Sequence, residues 1–200
     1  MSREPMPDPF ADQPDWAPRP PRPLVPTPAT TERELRGRRV LIGLTGIGWR
    51  GDLRCDEKVV QGSRTYIPVL PEQEWYRAEA EQVEVFAPLV PADRVWVERP
   101  DDTLAAPART DVLSRLVSLD APAARFPVPV VDAGPLTGRR LVHMDGGQER
   151  RDLRAVTELH TGADGDIAVR AAPELAWYRW VWTGHLPETT ELPVHLVWVE

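Results

Sequence analysis

Two stretches decide how this chain is read: Pro71-Glu-Gln-Glu-Trp-Tyr-Arg77 and Pro173-Glu-Leu-Ala-Trp-Tyr-Arg179. They open two segments, Pro71 to Glu98 and Pro173 to Glu200, that align without gaps at an offset of 102 and close on the same Val-Trp-Val-Glu. Ten of the 28 positions are identical, Pro91 and Pro193 among them. Upstream, Gly37-Arg-Arg39 is echoed by Gly138-Arg-Arg140, and Asp52-Leu-Arg54 by Asp152-Leu-Arg154. Their offsets of 101 and 100 need only one-residue length changes. Self-similarity at a fixed period marks a duplicated structural unit, here of roughly 62 residues. The chain therefore divides into a proline-rich tail (1–36), module 1 (37–98), a linker (99–137) and module 2 (138–200).

Inside the modules the pattern is one of short strands. Val40-Leu-Ile-Gly-Leu44 is an apolar run that reads as a buried strand. Lys58-Val-Val60, a turn at Gly62 and Thr65 to Leu70 predict a hairpin, and Val83-Glu-Val-Phe86 and Arg94 to Glu98 alternate as strands do. Module 2 repeats the plan with Leu141 to Met144, Ala155 to His160, Asp166 to Arg170 and Val194 to Val199. About five short strands per copy predict a mainly β protein of two tandem, small, closed or half-closed barrels.

The repeated opening itself is ambiguous. Pro-Glu and the Ala/Glu/Gln content of residues 71–82 favour a helix. The twin, Trp177-Tyr-Arg-Trp-Val-Trp-Thr183, is rich in aromatic and β-branched residues that suit a pleated surface, with Tyr178, Trp180 and Trp182 on one face. Taking the two copies together, strand is the favoured reading. In the linker, a cap-type Thr110 and an apolar stripe at Val112, Leu113, Leu116 and Val117 predict one helix over 111–119.

Trp75-Tyr-Arg-Ala78, then Val83-Glu-Val-Phe86, then Arg94-Val-Trp-Val-Glu98 resembles the later strands of SH3-like barrels, the group that includes Tudor domains. The resemblance covers about 30 residues per copy and implies small β-barrels. It also implies that aromatic residues near the strand ends form a surface for proline-rich or methylated peptides.

Composition narrows the function classes. A net charge of −7 argues against a general nucleic-acid binder, which needs a basic face. The arginine clusters at Arg36, Arg38, Arg39 and at Arg150, Arg151, Arg154 read as solvated faces. Lys58 is the only lysine among 24 Lys and Arg residues, which points to a GC-rich bacterial genome. Cys55 is the only cysteine, which leaves no intrachain disulfide and fits a reducing cytoplasm. No stretch approaches the roughly 18 apolar residues of a membrane span, and Met1 to Pro7 lacks the apolar core of a secretory signal. Ten prolines precede residue 30, so the tail should be extended and disordered. Arg19 to Pro26 within it carries the PxxP spacing of a polyproline II ligand.

The string closest to a catalytic motif is Gly46-Ile-Gly48-Trp-Arg-Gly51, which resembles a dinucleotide fingerprint. The segment after it is short and charged, where that motif needs a packed helix. The four histidines match no metal spacing, no serine sits in a nucleophile elbow, and no catalytic residue, metal or cofactor is assigned. Duplicated tryptophans, Trp75/Trp177 and Trp96/Trp198, are expected to pack the two cores. The sharper expectation is an aromatic binding surface made of Trp75, Tyr76, Arg77, Trp177, Tyr178 and Arg179, with Trp180 and Trp182 adding an inter-module or oligomer contact. The reading is a non-enzymatic interaction protein with a protein or peptide partner. The alternatives are a nucleotide-dependent enzyme using Gly46, Gly48 and Gly51, and a structural component of a larger assembly.

Overall fold

The computed structural model describes residues 19–44, 48–104, 121–162 and 164–200. The linker helix expected over 111–119, the first half of the tail and Gly46 lie outside the described residues.

The fold is mainly β, built as two similar curled antiparallel sheets. Module 1 contains β1 (Leu24–Pro28), β2 (Arg39–Leu44), β3 (Gly48–Cys55), β4 (Val59–Gln61), β5 (Arg64–Pro71), β6 (Leu89–Pro91) and β7 (Val95–Pro100). Module 2 contains β8 (Val128–Pro129), β9 (Arg140–Asp145), β10 (Gln148–Ala155), β11 (His160–Thr161), β12 (Ile167–Pro173), β13 (Thr190–Pro193) and β14 (Val197–Val199). The strand order in the first sheet is β1-β7-β2-β3-β5-β4, with β6 on β5. Read in the same sense, the second is β8-β14-β9-β10-β12-β11, with β13 on β12. Each sheet thus returns its last strand beside its first long one, which curls it into a half-barrel.

The cores correspond residue by residue. Leu35, Val40, Leu53, Cys55, Ile67, Val69, Val95 and Val97 fill the first. Leu136, Leu141, Leu153, Ala155, Val169, Ala171, Val197 and Val199 fill the second at the matching positions. In β7 the valines point inward and Trp96 outward, as alternation requires. The duplicated tryptophans, expected to pack the cores, divide: Trp198 is buried at 8% exposure, whereas Trp75, Trp96 and Trp177 are half-buried, and none belongs to either cluster. Trp96 instead meets Trp49 edge-to-face, with ring centroids 6.2 Å apart.

The strand expected across the repeated opening is a helix in both copies. α1 spans Glu72–Glu81 and α2 spans Glu174–Thr183. Each follows a proline at its N-cap, and each opens with a glutamate that suits the positive end of a helix. Gln82 and Gly184 end them in the left-handed conformation, a common helix stop. Aromatic β propensity is a context-dependent preference, and here the tertiary setting overrode it. Val83 to Phe86, expected as a strand, is irregular chain between α1 and β6. In module 2 the strand expected from Ala155 to His160 is interrupted: Ala155 ends β10 opposite Ala171, and pairing against β12 resumes only at His160–Thr161.

The modules begin earlier than the sequence reading had them. β1 pairs with β7 from Leu24 opposite Pro100 to Pro28 opposite Trp96, and Ala29 and Leu35 are wholly buried. The tail expected to reach residue 36 therefore joins the fold from Leu24. Prolines are tolerated there because an edge strand need not donate every N–H. The same device recurs in the expected linker, where β8 pairs with β14 and Pro129 lies opposite Trp198. The two edge segments meet each other: Leu24 and Arg125 exchange backbone hydrogen bonds of 2.9 Å.

Candidate functional site

Because Pro71 and Pro173 end a strand and start a helix, they set Glu72 and Glu174 at the first helical position, pointing back into the molecule. Both glutamates are about 1% exposed. A carboxylate so buried needs charged partners, and four arginines provide them. Arg54, in β3, reaches across to Glu174 at 2.8 Å, and Arg154, in β10, reaches across to Glu72 at 2.9 Å. Arg140 contacts both glutamates, at 2.5 Å and 3.2 Å, and Arg39 lies 3.4 Å from Glu174. Each module's helix-opening glutamate is thus received by the other module's arginine.

Two tyrosines complete the exchange. Tyr76 donates its hydroxyl to Glu174 at 2.8 Å, and Tyr178 donates to Glu72 at 3.0 Å. Arg54 and Arg154 in turn donate to those hydroxyls at 2.6 Å and 2.7 Å. The same arginines tie down their own modules through the carbonyls of Gly37 and Gly138, both at 2.7 Å. Four arginines and two glutamates leave two positive charges. Asp52 balances one beside Arg140, at 2.8 Å, and Glu200 balances the other beside Arg39, at 2.5 Å.

The electrostatics follow from this enclosure. Burial by itself raises the pKa of Glu72, but Arg140, Arg54 and Arg39 overcome it and hold the carboxyl at about 2. Burial, reinforced by the neighbouring glutamate, pushes both tyrosine hydroxyls above their ordinary range. Arg140 is raised as well, because Glu72 outweighs the cost of burying the cation. Glu72 and Arg140 are therefore held charged at neutral pH, and both phenols stay protonated.

The expected aromatic surface is split by this arrangement. Tyr76 and Tyr178 face each other inside the module interface, their rings stacked with centroids 5.2 Å apart. Trp75 and Trp177 are half-buried, each lying over the matching glycine, Gly37 or Gly138, but their other neighbours differ: Arg36 stands over Trp75, and Arg154 and Tyr178 pack on Trp177. Arg77 is exposed and pairs with Glu81 one turn on, at 3.1 Å, and Arg179 is exposed too. Trp180 and Trp182 are half-buried, but on a helix they do not share a face. Gly48 and Gly51 lie in β3, antiparallel to β2, so the fingerprint string continues into a strand. No helix N-terminus follows it to receive a pyrophosphate.

Sequence reasoning missed the ion cluster, although its signal was present. Glu72/Glu174, Arg39/Arg140 and Arg54/Arg154 are all identical pairs of the repeat. A polar residue retained in both copies at the same place has a shared structural role. Arg39 and Arg154 were instead grouped with solvated arginines, and both are largely buried.

Two clefts are lined by residues of the cluster, and a further groove lies apart from it. One cleft of about 770 Å³ is lined by Arg54, Tyr76 and Glu174 together with β10 residues Glu149 to Asp152. Its pseudo-symmetric counterpart, about 500 Å³, is lined by Arg50 to Asp52 of β3 with Glu72, Arg154 and Tyr178. The third, about 590 Å³, belongs to module 1 alone and runs between α1, β5 and the irregular chain after α1. Trp75, Leu70, Val83, Val85, Phe86 and Leu89 give it apolar walls, while Asp56, Glu79, Glu84 and Arg36 supply charge. Phe86 is 89% exposed, an unusual position for a phenylalanine. No helix among the described residues is long and apolar enough to cross a membrane. No family model matches the chain, and no curated protein or solved structure is similar enough to count as a match.

Proposed function

We propose that this is a non-enzymatic interaction protein in which the two half-barrels form one platform and module 1 takes a partner segment in the groove beside Trp75. The observation that carries this reading is the groove itself: a trough of mixed polar and apolar lining that includes the exposed Phe86 and in which acids outnumber bases. Exposed aromatic residues at a concave site are what binding surfaces are made of. The buried ion cluster between the modules, in which Glu72 is held charged by arginines, supports a structural role for the residues a catalytic reading would want.

The resemblance to SH3-like small barrels is consistent with this, since each sheet is a short meander whose last strand returns beside its first. A proline-rich segment is already bound within the chain. Glu149 accepts the backbone N–H of Arg22 at 2.6 Å and its Nε at 3.2 Å, while Arg151 donates to the Arg22 carbonyl. Pro21 and Pro23 on either side are buried. An extended proline-bearing segment is thus held within the chain against polar side chains.

Cross-linking and capture from the cells that make the protein, with wild type and Phe86→Asp compared, tests the proposal. Phe86 is so exposed that the substitution leaves the fold intact. A partner captured by wild type and lost with Phe86→Asp supports the groove. Identical partner sets for the two proteins would remove it from the proposal.

A further inference from the structure

The repeat supplies an internal comparison for the groove beside α1. Pro68 and Leu89 face each other across β5 and β6, as Arg170 and Glu191 do across β12 and β13. In module 2 that pair is a salt bridge of 3.5 Å, and Glu191 also meets His160 at 3.3 Å. In module 1 the same place is apolar and open, with Leu89 39% exposed. Phe86, which stands where module 2 has Glu188, is more exposed still. The acids are reversed as well. Asp56 donates its backbone N–H to Pro68 as Val156 does to Arg170, so these two correspond. Glu79 and Glu84 correspond at the offset of 102 to Val181 and Leu186.

Folding does not require this pattern, because module 2 builds the same strands and helix with Arg170, Glu188 and Glu191 in those places. An exposed apolar surface that the fold can do without points to a contact outside the fold. Charge says what kind. Arg36 is the single base lining the groove among the described residues, and it is engaged, 3.0 Å from Glu79 and over the Trp75 ring. Asp56 and Glu84, half-buried and exposed, have no ion-pair partner among the described residues. The chain's own candidates bring no cation in excess. Residues 1–18 carry one arginine against four acids, and residues 105–120 carry two of each sign. A second copy would approach with a net charge of −7. Complementary potential selects partners, and here it selects a foreign one of positive charge.

We infer that the partner of the module 1 groove is a basic segment of another protein, its Lys or Arg side chains on Asp56 and Glu84 and an apolar side chain against Phe86 and Leu89. This assignment rests on the groove being the binding surface, as proposed for the protein's function, and adds the sign of the partner's charge. Solvent-exposed ion pairs contribute little to tightness, so the acids choose the partner while the contact at Phe86 supplies most of the affinity.

The test uses the full chain and a phage-displayed library of random dodecapeptides, selected in parallel on wild type and on Phe86→Asp. Peptides enriched on wild type alone should carry net positive charge together with an apolar residue. The best of them, titrated by fluorescence polarisation, should bind the double variant Asp56→Asn/Glu84→Gln about fivefold more weakly, the scale of exposed ion pairs. Asparagine keeps the acceptor that the Glu57 N–H uses, so the loop at Asp56 stays as it is. Changing the peptide's basic residues to glutamine should cost a similar factor, and raising the salt concentration should weaken wild-type binding in the same direction. Glu188→Gln, at the module 2 counterpart of Phe86, should leave the affinity unchanged. A library that yields no peptide separating wild type from Phe86→Asp overturns the groove as the binding surface. Neutral or acidic peptides, or equal binding by the double variant, leave the groove standing and overturn the basic partner. An equal loss with Glu188→Gln assigns the effect to overall charge and overturns it too. Displacement of the selected peptides by an equal concentration of a synthetic peptide of residues 105–120 would make the chain its own occupant and overturn the foreign one.

Discussion

Tyr76 and Tyr178 stack with ring centroids 5.2 Å apart, and each hydroxyl donates to the glutamate that opens the other's helix. Two identical side chains from the two copies thus occupy one pseudo-twofold axis. Each module completes the other's ion cluster, so the halves are one structural unit joined by charge as well as by chain. Buried ion pairs of this kind seldom add much net stability over an apolar equivalent, but breaking one is costly.

That asymmetry sets the first expectation. Glu72→Gln leaves Arg140 and Arg154 without their closest anion and should cost about 3 kcal/mol, within the range for an interrupted buried pair. Glu174→Gln should cost a similar amount. The double variant should cost less than the two together, because both glutamates share Arg140. Urea unfolding midpoints of the four proteins check this. Tyr76→Phe, which keeps the ring stack, should cost only about 1 kcal/mol.

Acid should loosen the molecule through the same residue. The Glu72 carboxyl sits at about 2 in the folded protein against an ordinary 4.5. Its folded pKa is the lower one, so the stabilisation is complete above about pH 5 and disappears as pH falls through 4.5 toward 2, by about 3 kcal/mol in all. Unfolding free energy measured from pH 7 down to pH 3 should fall along that window. In Glu72→Gln the slope should be visibly shallower. An unchanged slope would show that other carboxyls carry the acid sensitivity.

Gly37 and Gly138 have positive φ, 73° and 82°, and lie under Trp75 and Trp177. Alanine strains the backbone at both, by about 1–2 kcal/mol. At Gly138 the added carbon would also sit 3.3 Å from the Trp177 ring, against 3.6 Å from Trp75 at Gly37. Gly138→Ala should therefore lower the melting temperature more than Gly37→Ala.

Cys55 should be inert in the native protein. Its thiol is wholly buried in the first core and bonded to the Leu35 carbonyl at 3.1 Å. Burial, with Asp56 and Glu57 nearby, pushes its pKa up to about 12. A thiol reagent should label it only as fast as the protein unfolds. Rapid labelling without denaturant would contradict the packing described for module 1.

How much of this could be read beforehand differs from element to element. The hairpin at β4 and β5 and the valines of β7 follow from turn residues and alternation, which act over a few residues and are visible in any window. The β1 and β8 edge segments were legible only in part. Leu35/Leu136 and Pro28/Pro129 keep the offset of 101 seen at Gly37/Gly138, yet proline content masked them as tail and linker. α2 was misread because its aromatic run has the local preference of a strand. The arginines were misread because an arginine on paper looks solvated until its partner is known.

By itself, then, the sequence determined that one unit was copied, that each copy is mainly β, and which positions the copies hold in common. Those facts rest on identity and short-range periodicity. Only the tertiary structure decided that Pro71 and Pro173 start helices and that Glu72 and Glu174 are buried. It also decided that Arg140 and Arg154 meet Glu72 from 68 and 82 residues away. A charge can be buried only where opposite charges converge on it, and that convergence is a property of the folded chain rather than of any stretch within it.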